Sequence, residues 1–111
     1  MANTFKSKTY SGSATAANTP MTVYTVPAST TAIVIGLNLS NIAGQLISVN
    51  VQVDKAVGQD VYVIKDVPLP SGGSLELMTG NKYVLETGDI LKVTTNTANA
   101  IDSMLSIMEQ S

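Results

Sequence analysis

In the stretch Leu46-Ile47-Ser48-Val49-Asn50-Val51-Gln52-Val53 of this 111-residue chain, apolar and polar side chains alternate without interruption from Ile47 onward. Successive side chains of a β-strand point to opposite faces of the sheet, so the isoleucine and the three valines share one face. A strand with one apolar and one polar face is typical of an antiparallel sheet that covers a core on one side only. The stretch therefore predicts a half-buried strand.

Similar short segments recur from Met21 onward, separated by turns rich in Gly, Pro, Asn and Asp. Regularly spaced short strands indicate an antiparallel β-sandwich, and about eight of them match the two four-stranded sheets of a jelly roll. The pattern alone leaves a closed barrel or an immunoglobulin-like strand order open. The predicted strands are Met21–Val26, Thr31–Ser40, Leu46–Val53, Asp60–Val67, Ser74–Met78, Lys82–Leu85, Asp89–Thr95 and Ile101–Met108.

The predicted strand Thr31–Ser40 is strongly apolar, and alternation assigns its large side chains to a single face. That face is expected to hold Ile33, Ile35, Leu37 and Leu39. Three methionines later in the chain are expected to fill gaps in the core, although Met also suits adaptable contact surfaces. They are Met78, Met104 and Met108.

The last predicted strand also fits a helix, because four of its apolar residues recur at helical spacing. These residues are Ile101, Met104, Leu105 and Met108. The strands that precede it favour a strand here too.

Residues 1–20 have a different composition, with few large apolar side chains among Asn, Thr, Ser, Ala and Gly. Such a segment cannot bury itself, so we expect an extended N-terminal arm over residues 1–20 and a single β-sandwich domain over residues 21–111. Two aromatic and two basic residues give this arm anchors for a partner. We therefore expect the arm to be mobile in the free protein and ordered on a neighbouring subunit, with an interface formed by Phe5, Lys6, Lys8 and Tyr10.

The chain contains no His, Cys, Arg or Trp. It therefore lacks the usual proton shuttle near neutral pH, thiolate chemistry, the main zinc ligands and bidentate anion recognition. A Ser or Thr nucleophile would need a Lys or carboxylate as its base, and no motif places one beside it. The sequence predicts a non-enzymatic protein with no catalytic residue, no cofactor and no metal site.

Charged residues make up only 13% of the chain, with six lysines, eight acids and a net charge of −2. A scattered, slightly acidic charge argues against a nucleic-acid partner, which normally meets a basic stripe. No apolar run approaches the roughly 20 residues of a membrane span, and the first residues lack the apolar region of a signal peptide. We expect neither nucleic acid nor membrane as a partner.

Two acidic pairs are candidate sites. Glu86-Thr87-Gly88-Asp89 places two carboxylates beside a glycine, which is ordinary turn chemistry before a strand. Asp54 and Asp60 flank a short loop and offer oxygens to a hard cation, but they lack the dense acidic spacing of a calcium loop. Both pairs are expected to be structural.

Three stretches resemble small β-sandwich virion proteins of tailed phages, most closely the capsid decoration (staple or cement) proteins of short-tailed phages. The resemblance covers about residues 22–95 and consists of turn and strand motifs rather than chemical ones. The stretches are Tyr24-Thr25-Val26-Pro27-Ala28-Ser29-Thr30-Thr31-Ala32-Ile33-Val34, Pro68-Leu69-Pro70-Ser71-Gly72-Gly73-Ser74-Leu75-Glu76-Leu77 and Tyr83-Val84-Leu85-Glu86-Thr87-Gly88-Asp89-Ile90-Leu91-Lys92-Val93.

The resemblance implies a structural protein that is made in the host cytoplasm and located on the capsid surface of the virion. Its expected partner is the major capsid protein, bound on the outside of the shell across neighbouring subunits. Self-association is expected as well, with a homodimer preferred and a trimer as the alternative. The alternative function is a tail, fibre or baseplate component that binds a receptor or a glycan.

Overall fold

A computed structural model describes residues 3–11, 16–77 and 82–111, and these residues form nine β-strands. All eight predicted strands are present, and the last one is a strand rather than a helix. No helix able to cross a membrane occurs in the part of the chain that is described. The strands are β1 (Asn3–Tyr10), β2 (Met21–Thr25), β3 (Thr31–Asn41), β4 (Ile47–Asp54), β5 (Val61–Leu69), β6 (Ser74–Glu76), β7 (Tyr83–Leu85), β8 (Ile90–Thr95) and β9 (Ile101–Gln110).

The strands form two antiparallel sheets that pack face to face. Sheet A has the order β1-β9-β3, and the short strands β6 and β7 both pair with the far side of β3. Sheet B has the order β2-β8-β4-β5. With β6 and β7 taken as two halves of one strand, the order is that of a jelly roll. The predicted all-β sandwich is confirmed.

The core lies between the sheets and is built from the alternating positions that the sequence indicates. Every second residue of β4 is buried, as is every second residue of β9. Aliphatic side chains predominate, and a core of this size needs no disulfide to be stable. Its most deeply buried large apolar side chains are Leu37, Leu39, Ile47, Ile101, Leu105, Ile107, Val26, Val34, Val49, Val51 and Val93.

The structure differs from the sequence prediction over Asn3–Tyr10. This segment is extended, but it pairs along its whole length with β9 of the same chain, from Asn3 opposite Gln110 to Tyr10 opposite Ser103. Its composition looked like that of a free arm because β1 is an edge strand whose side chains are nearly all exposed. Backbone hydrogen bonds to β9, which carry no sequence signal, hold it in place. The boundary predicted between residues 20 and 21 stays a prediction.

The prediction that one face of β3 holds all its large apolar side chains is wrong. Val34 lies opposite Ile107 and Gly36 lies opposite Ser106, so Ile35 is an extra residue in a β-bulge. A bulge reverses the phase of the alternation on one side of it. Leu37 and Leu39 are therefore buried as predicted, whereas Ile33 and Ile35 are partly exposed on the outer face of sheet A.

The edge strand β5 is longer than predicted and irregular. It continues through Pro68 to Leu69, because a proline is tolerated on an edge strand. Its register with β4 shifts twice, and Asp66 has a positive φ of 52°. The backbone NH of Asp66 donates a hydrogen bond to a side-chain oxygen, the Asn50 Oδ1, at 2.5 Å. This edge is therefore poorly shaped for pairing with a further strand.

Candidate binding surface

Four apolar side chains form a continuous row across the outer face of sheet A. Phe5 of β1 lies opposite Met108 of β9, which lies opposite Ile33 of β3, which in turn lies opposite Val84 of β7. Residues directly opposite each other share a face and contact one another across the strands. We call Phe5, Met108, Ile33 and Val84 the outer row.

The outer row is open to solvent at both ends. Phe5 is 72% exposed and Val84 is 60% exposed, while Met108 and Ile33 between them are partly exposed. Met104 lies on the same outward face of β9 as Met108, and its side chain is 51% exposed. The prediction that Met104 and Met108 fill the core is therefore wrong, and Met78 lies outside the described residues.

The described strands of sheet A place few charged residues on its outer face. No lysine occupies an outward position on its described strands, and its outward carboxylates are Asp102 and Glu76. Glu76 lies against the bulge, where its Oε1 accepts a hydrogen bond from the backbone NH of Leu37 at 3.3 Å. Exposed apolar side chains next to one another, without charges between them, make the outer row the candidate binding surface.

The outer face of sheet B has the opposite character. Lys92 of β8 and Asp54 of β4 form an ion pair at 2.6 Å, and Gln52 donates a hydrogen bond to the same carboxylate at 2.8 Å. The bond from Lys92, followed by that from Gln52, lowers the pKa of Asp54. Ser48 and Asn50 continue the polar face along β4. Tyr62, opposite Gln52, and Ile90, opposite Asp54, are apolar residues on this largely polar face.

The four residues predicted as the interface are separated by the pleat of β1. Phe5 points outward and belongs to the outer row. Lys6, Lys8 and Tyr10 share the inner side of the strand, where Tyr10 is partly buried against the core. Of the predicted set, only Phe5 lies on the exposed apolar surface.

Lys6 takes part in a polar contact that joins the two sheets at their β1–β2 flank. Its Nζ lies 2.8 Å from Oε1 of Glu109, whose other oxygen accepts a hydrogen bond from the hydroxyl of Tyr24 in β2. The bonds from Lys6 and Tyr24 lower the pKa of Glu109. Burial, followed by the hydrogen bond to Glu109, raises the pKa of Tyr24. These groups satisfy one another and have a structural role.

The acidic pair at Glu86 and Asp89 is also structural. Asp89 is buried, and its carboxylate accepts hydrogen bonds from Lys55 Nζ at 2.5 Å, Glu86 N at 2.8 Å and Ala56 N at 3.0 Å. Burial raises the pKa of Asp89, but these three donors outweigh it, and the net pKa is lowered. The turn needs Gly88, whose φ is 87° and whose Cβ, if present, would lie 2.9 Å from that of Ala56.

The carboxylates of Asp54 and Asp60 are each engaged by other groups of the chain. Asp54 is engaged by Lys92, and Asp60 Oδ1 accepts a hydrogen bond from Lys55 N at 2.8 Å. No group of three or more potential metal ligands occurs among residues 3–11, 16–77 and 82–111.

A groove of about 450 Å³ opens on the opposite flank, between the edge of β5 and β7. Tyr62 offers the groove one exposed aromatic ring, with Lys65 Nζ 4.5 Å from its centre. Lys55 on its wall is already held by Asp89. The groove is lined by Val53, Lys55, Val61, Tyr62, Val63, Lys82, Tyr83, Val84 and Leu85.

Comparison with models of protein families gives no match, and no curated protein is significantly similar in sequence. The likeness to phage virion proteins therefore rests on the sequence stretches quoted above.

Sequence reasoning missed three members of the outer row: Ile33, Met108 and Val84. Val84 lies in a strand of only three residues, too short to show a period. For Ile33, a signal was present in Gly36, because a glycine inside a strand often marks a bulge. A bulge at that position would have assigned Ile33 and Leu37 to opposite faces.

Proposed function

We propose that this protein is a non-enzymatic virion structural protein that binds the outside of a phage capsid and stabilises contacts between neighbouring capsid subunits. The observation that carries this proposal is the outer row itself: sheet A presents four apolar side chains side by side on its outer face, whereas the Lys92–Asp54 ion pair lies on the outer face of sheet B. The outer face of sheet A is the proposed attachment surface, and the major capsid protein is its proposed partner.

The chemistry of the surface fits this role. Phe and Met are enriched at protein interfaces, and lysine is depleted there. Attachment to a shell stabilises the assembled state because the added contacts exist only when the shell is intact. A shell offers many equivalent sites, so several modest contacts acting together are sufficient.

The alternative, a receptor- or glycan-binding tail or fibre component, finds less support. Sugar sites in jelly rolls usually rely on aromatic platforms or a metal, and the groove offers one exposed aromatic ring, Tyr62. Copy number separates the two functions. A decoration protein is expected at hundreds of copies per virion, and a tail component at roughly three to a few dozen.

The test is binding of purified protein to heads that lack it. Val84→Glu places a charge at the exposed end of the outer row and should reduce occupancy at least tenfold at a fixed protein concentration. Thr25→Glu is the matched control, because Thr25 is an exposed outward residue on the short edge strand β2 of sheet B. It should leave occupancy unchanged.

Stabilisation is tested on the same heads. Heads with the protein bound should release their DNA at a higher temperature than heads without it. Equal release temperatures would remove the stabilising role, and equal occupancy of the two glutamate variants would remove sheet A as the attachment surface.

A further inference from the structure

The sandwich has four lateral edges, and three of them are unsuited to pairing with another strand. The edge strand β5 is bulged and contains Pro68. On the other side of sheet B, β2 has five residues and a register shift between Thr22 and Tyr24. The far edge of sheet A consists of β6 and β7, with three residues each. Short strands, bulges and prolines are the usual means of preventing edge-to-edge association.

The fourth edge, β1, has none of these features. It is eight residues long, contains neither proline nor glycine, and pairs with β9 without a register shift. Among the described residues, β9 is the only strand that pairs with it, so its other side presents unpaired backbone groups. A regular edge of this length is a template for one more strand.

We propose that β1 binds an extended strand of a partner protein, which adds to sheet A as a further strand. This inference rests on the proposed function only for the identity of the partner, a segment of the capsid protein. The shape of the edge and its charge define the chemistry of the added strand.

A second copy of β1 is a poor occupant of this edge. In a two-fold antiparallel pair, opposite residues must share a face, and two such registers overlap most of β1. One of them places Lys6 opposite Lys6, and the other places Lys6 opposite Lys8. Like charges directly opposite each other destabilise a pair of strands.

The same lysines favour an acidic strand. Lys6 and Lys8 point to one side of β1, and Phe5 points to the other. Lys6 is paired with Glu109, whereas Lys8 is exposed and forms no ion pair among the described residues. The side chains of the added strand should therefore alternate between acidic and apolar. A carboxylate should lie opposite Lys8 on the inner side, and apolar residues should lie beside Phe5 on the outer side. Its outer side would then extend the outer row.

The probes are two extended nine-residue peptides that alternate Val and Thr and differ at two positions spaced two residues apart. One has Glu at both positions and the other has Lys. The full chain should bind the Glu peptide at least tenfold more tightly than the Lys peptide. Lys8→Glu, which keeps both members of the Lys6–Glu109 pair in the chain, should reverse this preference.

Amide hydrogen exchange distinguishes strand addition from simple charge attraction. In the free protein, alternate amides of Asn3–Tyr10 should exchange rapidly, because they point away from β9. The Glu peptide should slow the exchange of those amides at least tenfold and leave β5 unaffected.

Equal affinities for the two peptides, no binding at millimolar concentration, or unchanged exchange in β1 would each overturn the proposal. Slow exchange of all β1 amides in the chain alone, together with a dimer mass, would assign the edge to a second copy and also overturn it. Peptide binding is measured without particles, so its failure leaves attachment to heads untouched. Failure of attachment likewise leaves the peptide result untouched.

Discussion

The two outer faces of the sandwich differ in what lies at their centre: an ion pair on sheet B and an apolar row on sheet A. Sheet B turns Lys92, Asp54 and Gln52 to the outside, where they bond to one another. Sheet A turns Phe5 and Val84 to the outside and keeps Lys6 and Glu109 on its inner side. Folding requires only that the inner faces be apolar, so the composition of an outer face is free to serve another purpose. Packing of the core therefore does not account for the apolar residues of the outer row.

The largest effect in this comparison is expected from deleting Ile35, the extra residue of the β3 bulge. Without it, one half of β3 must turn its buried side chains outward, either Val34 or Leu37 with Leu39. We expect destabilisation by more than about 4 kcal/mol, the range of exceptional mutational effects, measured by urea unfolding. Ile35→Val keeps the residue count and should cost about 1 kcal/mol. A deletion variant that unfolds at the same urea concentration would show that the bulge does not set the faces.

A smaller loss of stability is expected when a carboxylate is neutralised on the inner side of sheet A or on the outer face of sheet B. Glu109→Gln removes a charged acceptor from Lys6 and Tyr24 and should cost about 1.5–3 kcal/mol at pH 7. Asp54→Asn on the outer face of sheet B is the matched change and should cost about 0–1 kcal/mol. Equal losses of unfolding free energy in the two variants would mean that the inner and outer ion pairs contribute equally to stability.

The cost of Glu109→Gln should depend on pH with a defined sign. Because the folded protein lowers the pKa of Glu109, the stability that its charged form contributes is complete above the ordinary value of 4.5. It is lost as the pH falls through the lowered pKa of the folded state. The difference in unfolding free energy between wild type and variant should therefore shrink below pH 4.5. A difference that grows on acidification would contradict the assignment.

The smallest effect should come from the outer row itself. Phe5→Ser and Val84→Ser replace exposed side chains, so each should change the unfolding free energy of the isolated protein by no more than about 0.5 kcal/mol. Val93→Ala on the buried face of sheet B should cost about 2–3 kcal/mol. If Phe5→Ser and Val84→Ser lowered the unfolding free energy as much as Val93→Ala does, the outer row would stabilise the fold. Its assignment as a binding surface would then be weakened.

Much of the sandwich was predictable because its signals are local. The alternation in β4 and the inward positions of β9 can be derived from the sequence, since each depends on neighbouring residues alone. The position of β1 was not predictable, because nearly all of its side chains are exposed and its pairing with β9 depends on backbone groups some hundred residues away. Pairing between distant segments leaves little trace in the composition of either.

The candidate surface was predictable only in part for the same reason. Phe5 was identified because an aromatic residue is conspicuous in a polar segment. Met108 and Val84 become neighbours of Ile33 only through the register of three strands. A one-residue change of that register would disperse the row, so no pattern within a single strand encodes it.

The pairing of β1 with β9 also places the start of the first described strand beside the end of the last one. Asn3 lies opposite Gln110, and the Gln110 Nε2 donates a hydrogen bond to the Asn3 Oδ1 at 3.1 Å. A domain fused near either end would leave the sandwich at one place, two residues from Phe5 or from Met108. Under the proposed attachment the outer row faces the shell, so such a fusion would lie between the sandwich and the particle rather than be displayed on it. Cargo for display belongs instead in the loop between β4 and β5, where Val57 is 89% exposed.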